Sequence, residues 1–141
     1  MSQEQMQTVS RTLEVSYDGS QHCTAVLEPQ GKIVATDCPY TGKGEEFSPM
    51  NLVGSGLAGC MLISMGTLAM RDQLDISGAR VHVELVGSVK RIETIDLTFT
   101  MPRNFSEVER IKLQRAAESC PIEHSFHPDI PITIRYDYPE S

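Results

Sequence analysis

Hydrophobic and polar residues alternate as soon as the chain becomes patterned. Leu13, Val15 and Tyr17 fall on one side and Thr12, Glu14 and Ser16 on the other, the period of a half-buried strand. Asp18-Gly19 is a turn signal, so a hairpin is expected, with a second strand over about His22 to Glu28. Pro29-Gln30-Gly31 turns the chain again and Lys32 to Thr36 returns, completing a small antiparallel meander. Residues 37–47, with Pro39, Gly42 and Gly44, read as a loop, placed where an active-site lid or a plain solvated connection would sit.

The period then changes. From Ser48 to about Leu74 the pattern predicts one long helix, with Ser48 as cap and Pro49 at the first helical position. Its apolar residues, among them Leu52, Val53, Leu57, Met61, Ile63, Met65 and Met70, are spread around the whole circumference, which predicts a helix covered on all sides. Such a stretch is also long enough to span a bilayer. Gly54, Gly56, Gly59, Gly66 and Asn51, with no Trp or Tyr anchor at either end, argue against a span. Close approach of another backbone, including that of a second copy of the chain, explains the glycines better.

Beyond the helix, Arg80 to Val89 and Ile92 to Met101 alternate as two longer strands, and Pro102 stops the second. Ser106 with Glu109 forms a capping box that opens a second helix, carried to Cys120 and ended there by Pro121. Ile132, Ile134 and Tyr136 mark a last strand. The order βββαββαβ predicts an α+β fold with the long helix packed on antiparallel sheet.

At 141 residues, 40% hydrophobic and 22% charged, the chain reads as one soluble domain over residues 11–141 behind a mobile tail over residues 1–10. A formal net charge of -7 without clustered Lys and Arg argues against nucleic acid as a partner. The polar start has neither the basic end nor the apolar core of a signal peptide, so a cytoplasmic protein is expected. Thiols stay reduced there, and the irregular spacing of Cys23, Cys38, Cys60 and Cys120 is not that of a disulfide framework.

An unpaired cysteine is most often a small hydrophobe. Here, however, each helix carries one: Cys60 within the long helix, and Cys120 on the apolar face that Leu113, Ala116 and Ala117 define. Two such residues suggest a redox pair. Cys60 lies too deep in its helix to feel the dipole, so its activation calls for a nearby cation. Cys120, at a helix C-terminus beside Glu118, suits the resolving position better than the attacking one.

The stretch SPMNLVGSGLAGC resembles the segment around the first redox cysteine of the OsmC/Ohr family of organic hydroperoxide reductases, and AAESCPIEHSF resembles the segment around the second. The spacing of the two cysteines and the βββαββαβ order extend the likeness over nearly the whole chain. The resemblance implies an OsmC-like fold and an intertwined homodimer with active sites at the subunit interface. It also implies a thiol-dependent peroxidase in which Cys60 attacks an organic hydroperoxide to give a sulfenic acid and an alcohol. Cys120 then forms a disulfide with Cys60, and an external dithiol reductant restores both thiols, with no bound cofactor. Where the family carries a first-turn Glu that holds an Arg against the thiolate, Met50 and Asn51 stand, and no Arg occurs between Thr12 and Met70. Arg11 and Lys43 are the nearby cationic stand-ins, with Glu45 or Glu46 as orienting carboxylates.

A metal site drawn from Cys60, Cys120, His124 and His127 fits no structural zinc spacing, and no metal is expected. His22 and His82 read as strand-surface residues, and Cys23 and Cys38 as structural or incidental, Cys38 also as an accessory thiol beside the loop. Acyl transfer by a Cys and His pair lacks an oxyanion-hole signature. The rival from another class is a noncatalytic dimeric module that binds an apolar small molecule or senses redox state through the same cysteines.

Overall fold

The computed structural model describes Thr8 and residues 10–139, so the tail expected over residues 1–10 lies almost wholly outside the described residues. The elements are β1 (Leu13–Gly19), β2 (His22–Leu27), β3 (Lys32–Asp37), α1 (Pro49–Arg71), β4 (Arg80–Ser88), β5 (Arg91–Thr100), α2 (Glu107–Ala117) and β6 (Ile132–Asp137), in the expected order. They fall into two compact units, divided after Asn51.

In the first unit, β1, β2 and β3 form an antiparallel meander in which Leu13 faces Leu27, Val15 faces Ala25, and Ala25 faces Val34. The hairpin turn does not sit on Asp18-Gly19 as the dipeptide predicts. β1 runs through Gly19, and Ser20 and Gln21 make the turn with φ of 55° and 64°. Asp18 stays on the strand, where its carboxylate accepts from Thr24 Oγ1 at 2.6 Å and meets His22 Nδ1 at 2.8 Å. The loop after β3 is gathered by buried Asp37, whose oxygens accept the Glu45 and Glu46 amides at 3.0 and 3.3 Å. Its own amide donates to the Phe47 carbonyl.

Helix α1 starts where the sequence places it: Ser48 Oγ accepts the Asn51 amide at 3.1 Å, satisfying a first-turn donor. It stops at Arg71, three residues before the expected end. Gln73 adopts φ 59° and the Leu74 amide closes onto the Ala69 carbonyl, a left-handed cap that serves the last turn. The helix is not enclosed all round. Gly54, Leu57, Ala58, Met61, Met65 and Ala69 form one buried stripe, whereas Val53, Ile63 and Met70 are exposed. A helix that is apolar on every side satisfies only the face its own chain can cover. By length and composition α1 is also sufficient to cross a membrane.

In the second unit the sheet order is β4-β5-β6, antiparallel between β4 and β5 and parallel between β5 and β6. The parallel pair is what a crossover through α2 produces, and strand patterns alone do not decide it. Alternation then sorts the faces. Val81, Val83 and Leu85 line up with Phe99, Leu97 and Ile95, and these with Tyr136, Ile134 and Ile132. That face joins Leu57, Met61 and Met65 of α1 and Leu113 and Ala117 of α2 in one core. Gly87 is required at the β4 bulge, because a Cβ there collides with the Arg91 carbonyl. Helix α2 has the expected capping box: Glu109 N donates to Ser106 Oγ at 3.2 Å and Ser106 N to Glu109 Oε1 at 2.8 Å.

Candidate active site

The margin of the buried stripe of α1 and the turn just beyond α2 deliver one thiol each. Cys60 is half-buried at the edge of the core and Cys120 is completely enclosed within it. The Cys60 side chain lies close enough to Cys120 to act on its thiol. Burial pushes the Cys120 thiol up, and the contact with Cys60 adds to it.

The surroundings of Cys120 differ from the sequence reading in an instructive way. α2 does not reach it but ends at Ala117, and the Ser119 and Cys120 amides tighten back onto Ala116 and Ala117. Pro121 and Ile122 then lead into a one-turn 3-10 segment, Glu123–Ser125. The backbone N–H groups of Glu123 and Ile122 point at the Cys120 sulfur and work against the rise. The expected cause, the negative end of α2 with Glu118, is therefore replaced by burial and by Cys60. The Glu118 carboxylate is instead taken by the Tyr136 hydroxyl, which donates to it at 2.9 Å. Burial and that carboxylate raise the Tyr136 pKa, and its ring stacks on Phe99 at 4.8 Å.

Three residues of this neighbourhood escape a reading of the sequence. Glu123 is half-buried, with Oε2 enclosed and without a hydrogen-bond partner among the described residues. Burial raises its pKa and Glu118 adds to the rise, while His124 opposes it. Nothing in the segment CPIEH marks that carboxyl as special. Ile122 and Gly56 form the second discovery: a Cβ built on Gly56 has Ile122 Cδ1 as its neighbour, at 4.0 Å. The i, i+4 spacing of Gly56 and Cys60 is the signal that could have found it.

The activating candidates all belong to the first unit. Lys43, Glu45 and Glu46 come together around a cleft of about 220 Å³, shared with Ser20, His22 and Asp37. Arg11 is exposed ahead of β1. The first turn of α1 contains no acidic side chain. In the same unit Cys38 is half-exposed, and the Thr41 side chain, then the amides of Thr41, Tyr40 and Gly42, lower its pKa. His124 Nε2 lies 3.2 Å from the Glu118 carbonyl and His127 pairs with Asp129. Among the described residues no group of three or more His, Cys, Asp or Glu side chains is placed to hold a metal.

Comparison with known proteins completes the picture. The family model described as OsmC-like protein matches residues 42–135. No curated protein matches the chain. Among solved structures, a Psychrobacter arcticus 273-4 protein described as an osmotic stress induced and detoxification response protein is similar at TM-score 0.84 and 29% identity. That match covers 93% of this chain and 98% of the other. The organic hydroperoxide resistance protein OsmC of Legionella pneumophila is similar at TM-score 0.66 and 15% identity, over 92% and 99% of the two chains. OhrB of Bacillus subtilis, an organic hydroperoxide resistance protein, gives 0.63 and 16%, over 89% and 98%. At the last two identities the likeness is one of fold.

Proposed function

The chain belongs to the OsmC-like protein family, and we propose that it is a thiol-dependent peroxidase that reduces organic hydroperoxides to alcohols. The closeness of Cys60 to Cys120 supports this reading, since a resolving thiol must lie near the attacking one. Cys60 is the attacker because it is the partner with a path to solvent. Its thiolate sulfur bonds to the terminal peroxide oxygen, the O–O bond breaks, and the departing alkoxide takes up the proton the thiol gave up. Cys60 is now a sulfenic acid.

Cys120 resolves it. Its sulfur attacks that of Cys60, an S–S bond forms, the S–O bond breaks, and the hydroxyl leaves as water with the Cys120 proton. The Ile122 and Glu123 amides that face the Cys120 sulfur favour the charge it gathers as the proton leaves. An external dithiol, of the kind maintained in the cytoplasm, then reduces the disulfide by exchange.

A homodimer belongs to the same proposal. The β1–β2 surface presents Leu13, Val15 and Tyr17 with Leu27, and α1 presents Val53 and Ile63, all exposed in the single chain. A second copy would cover such faces. Arg11 and Lys43 are the proposed cationic groups for a Cys60 thiolate, with Glu45 or Glu46 as the proposed orienting carboxylates.

The test treats fully reduced protein with one equivalent of cumene hydroperoxide and maps its thiols by mass spectrometry, beside a Cys60→Ser control. A Cys60 to Cys120 disulfide with peroxide consumed, and no reaction in the control, is the expected result. Unchanged thiols and unconsumed peroxide overturn the proposal in favour of a noncatalytic binding or redox-sensing module.

A further inference from the structure

We propose that the cleft of the first unit binds a small amino-carboxylate, a molecule that carries an ammonium and a carboxylate a few bonds apart. Every residue the site uses lies ahead of Asn51, so it needs neither Cys60 nor Cys120 and does not rest on the peroxidase reading. The cleft holds about 220 Å³ between Ser20, His22, Asp37, Lys43, Glu45 and Glu46. Pockets for drug-sized ligands run to roughly 300–1,000 Å³, so this one selects a molecule of few heavy atoms.

Two of its walls are held in place by hydrogen bonds. Asp37 is 5% exposed, and its oxygens accept the consecutive amides of Glu45 and Glu46, while its own amide donates to the Phe47 carbonyl. The Asp37 charge is thus spent on backbone, and the loop that carries Glu45 and Glu46 is pinned to the end of β3. On the other side, Thr24 first and His22 second hold the Asp18 carboxyl below its ordinary range, so it is ionised and only accepts. The hydrogen between Asp18 and His22 therefore sits on Nδ1, where the two groups meet at 2.8 Å. Nε2, the acceptor of the neutral ring in that tautomer, has no partner among the described residues.

The charges on the loop do not neutralise one another. Lys43, Glu45 and Glu46 share the cleft, yet among the described residues none of the three forms an ion pair. Glu45, Glu46 and His22 Nε2 supply acceptors for the three N–H donors of a primary ammonium, and Lys43 with the Ser20 hydroxyl supplies donors for a carboxylate. A simple cation would face Lys43, and a simple anion would face Glu45 and Glu46. A ligand of both charges is the one that uses the whole lining. Lys43, Glu45 and Glu46 are also the groups proposed to serve the Cys60 thiolate, so the test reads binding alone, with no oxidant present.

Reduced protein is titrated with L-alanine and with β-alanine, and separately with ethylammonium and with acetate as probes of a single charge, while backbone-amide and imidazole NMR shifts are followed. Titration to about 10 mM brings any site tighter than about 1 mM close to saturation. Saturable shifts at His22, Glu45 and Glu46 are expected from at least one of the two amino-carboxylates, with ethylammonium and acetate bound roughly tenfold more weakly or worse. Lys43→Gln and Glu45→Gln, both at exposed positions where folding is not at risk, should each weaken the amino-carboxylate by about tenfold, the loss of one charge-assisted hydrogen bond. Absence of saturable shifts with both amino-carboxylates, equal binding of a single-charge probe, or full affinity in both variants overturns the assignment.

Discussion

In the C-terminal unit Leu57, Phe99 and Leu113 are completely enclosed, whereas in the N-terminal unit Leu13, Val15 and Tyr17 remain 60%, 57% and 65% exposed. Both sets follow their element's periodicity without error. What differs is closure: two helices laid over one face of β4-β5-β6 make an inside, and a three-stranded meander has two faces and no lid. Correct alternation therefore assigns a residue to a face, and the other elements present decide whether that face becomes a core. The redox pair sits where closure is complete on one side and open on the other.

The largest way to break the comparison is to truncate one residue from each set. Phe99→Ala removes a fully buried ring stacked on Tyr136 and should cost about 3–5 kcal/mol of unfolding free energy in urea melts. Tyr17→Ala should leave the monomer's stability nearly unchanged. An equal loss from both would show that the meander has a core of its own.

Next in size is the effect on assembly. Val15→Asp places a charge on the exposed β1 face, and if a second copy covers that face the variant should sediment as a monomer where the wild type sediments as a dimer. A dimer unchanged in mass would move the interface elsewhere. Smaller again is Ser106→Ala, which removes the side-chain acceptor of the Glu109 amide while the residue-106 amide keeps its bond to Glu109 Oε1, and should cost about 1 kcal/mol, read in the same urea melts.

The finest test concerns Glu123. Burial, then Glu118, hold its proton to higher pH than the ordinary 4.5 of a glutamate. The unfolded chain releases that proton first, so the group lowers folded-state stability as pH rises through and above the normal carboxylate range. Glu123→Gln should thus melt at a higher temperature than wild type at neutral pH, and the gap should close near about pH 3.5, where both states are protonated. A gap of the same size at both pH values would assign the effect to packing.

Much of this was legible in the residues. Ser48 and Ser106 announce their helices because capping is a local matter between a side chain and an amide a few residues away. The strands were legible for the same reason. Errors fell where a local signal competes with distant contacts. Asp18-Gly19 reads as a turn, but Thr24 and His22 hold Asp18 on the strand and push the turn to Ser20 and Gln21. Glu123 has no local signature at all, since enclosure is made by residues remote in sequence.

By itself, then, the sequence determined what depends on near neighbours: the period of each element, its caps, its turn residues, and one cysteine in or just beyond each helix. The tertiary structure alone decided the parallel pairing of β6 with β5, which stripe of α1 is buried, and why the Cys120 thiol is pushed up. It also decided that Gly54 packs against Val83 and Leu85 of β4 while Gly56 stays exposed. Each of these turns on which surfaces meet in space, and periodicity along the chain carries no information about the partner a face will find.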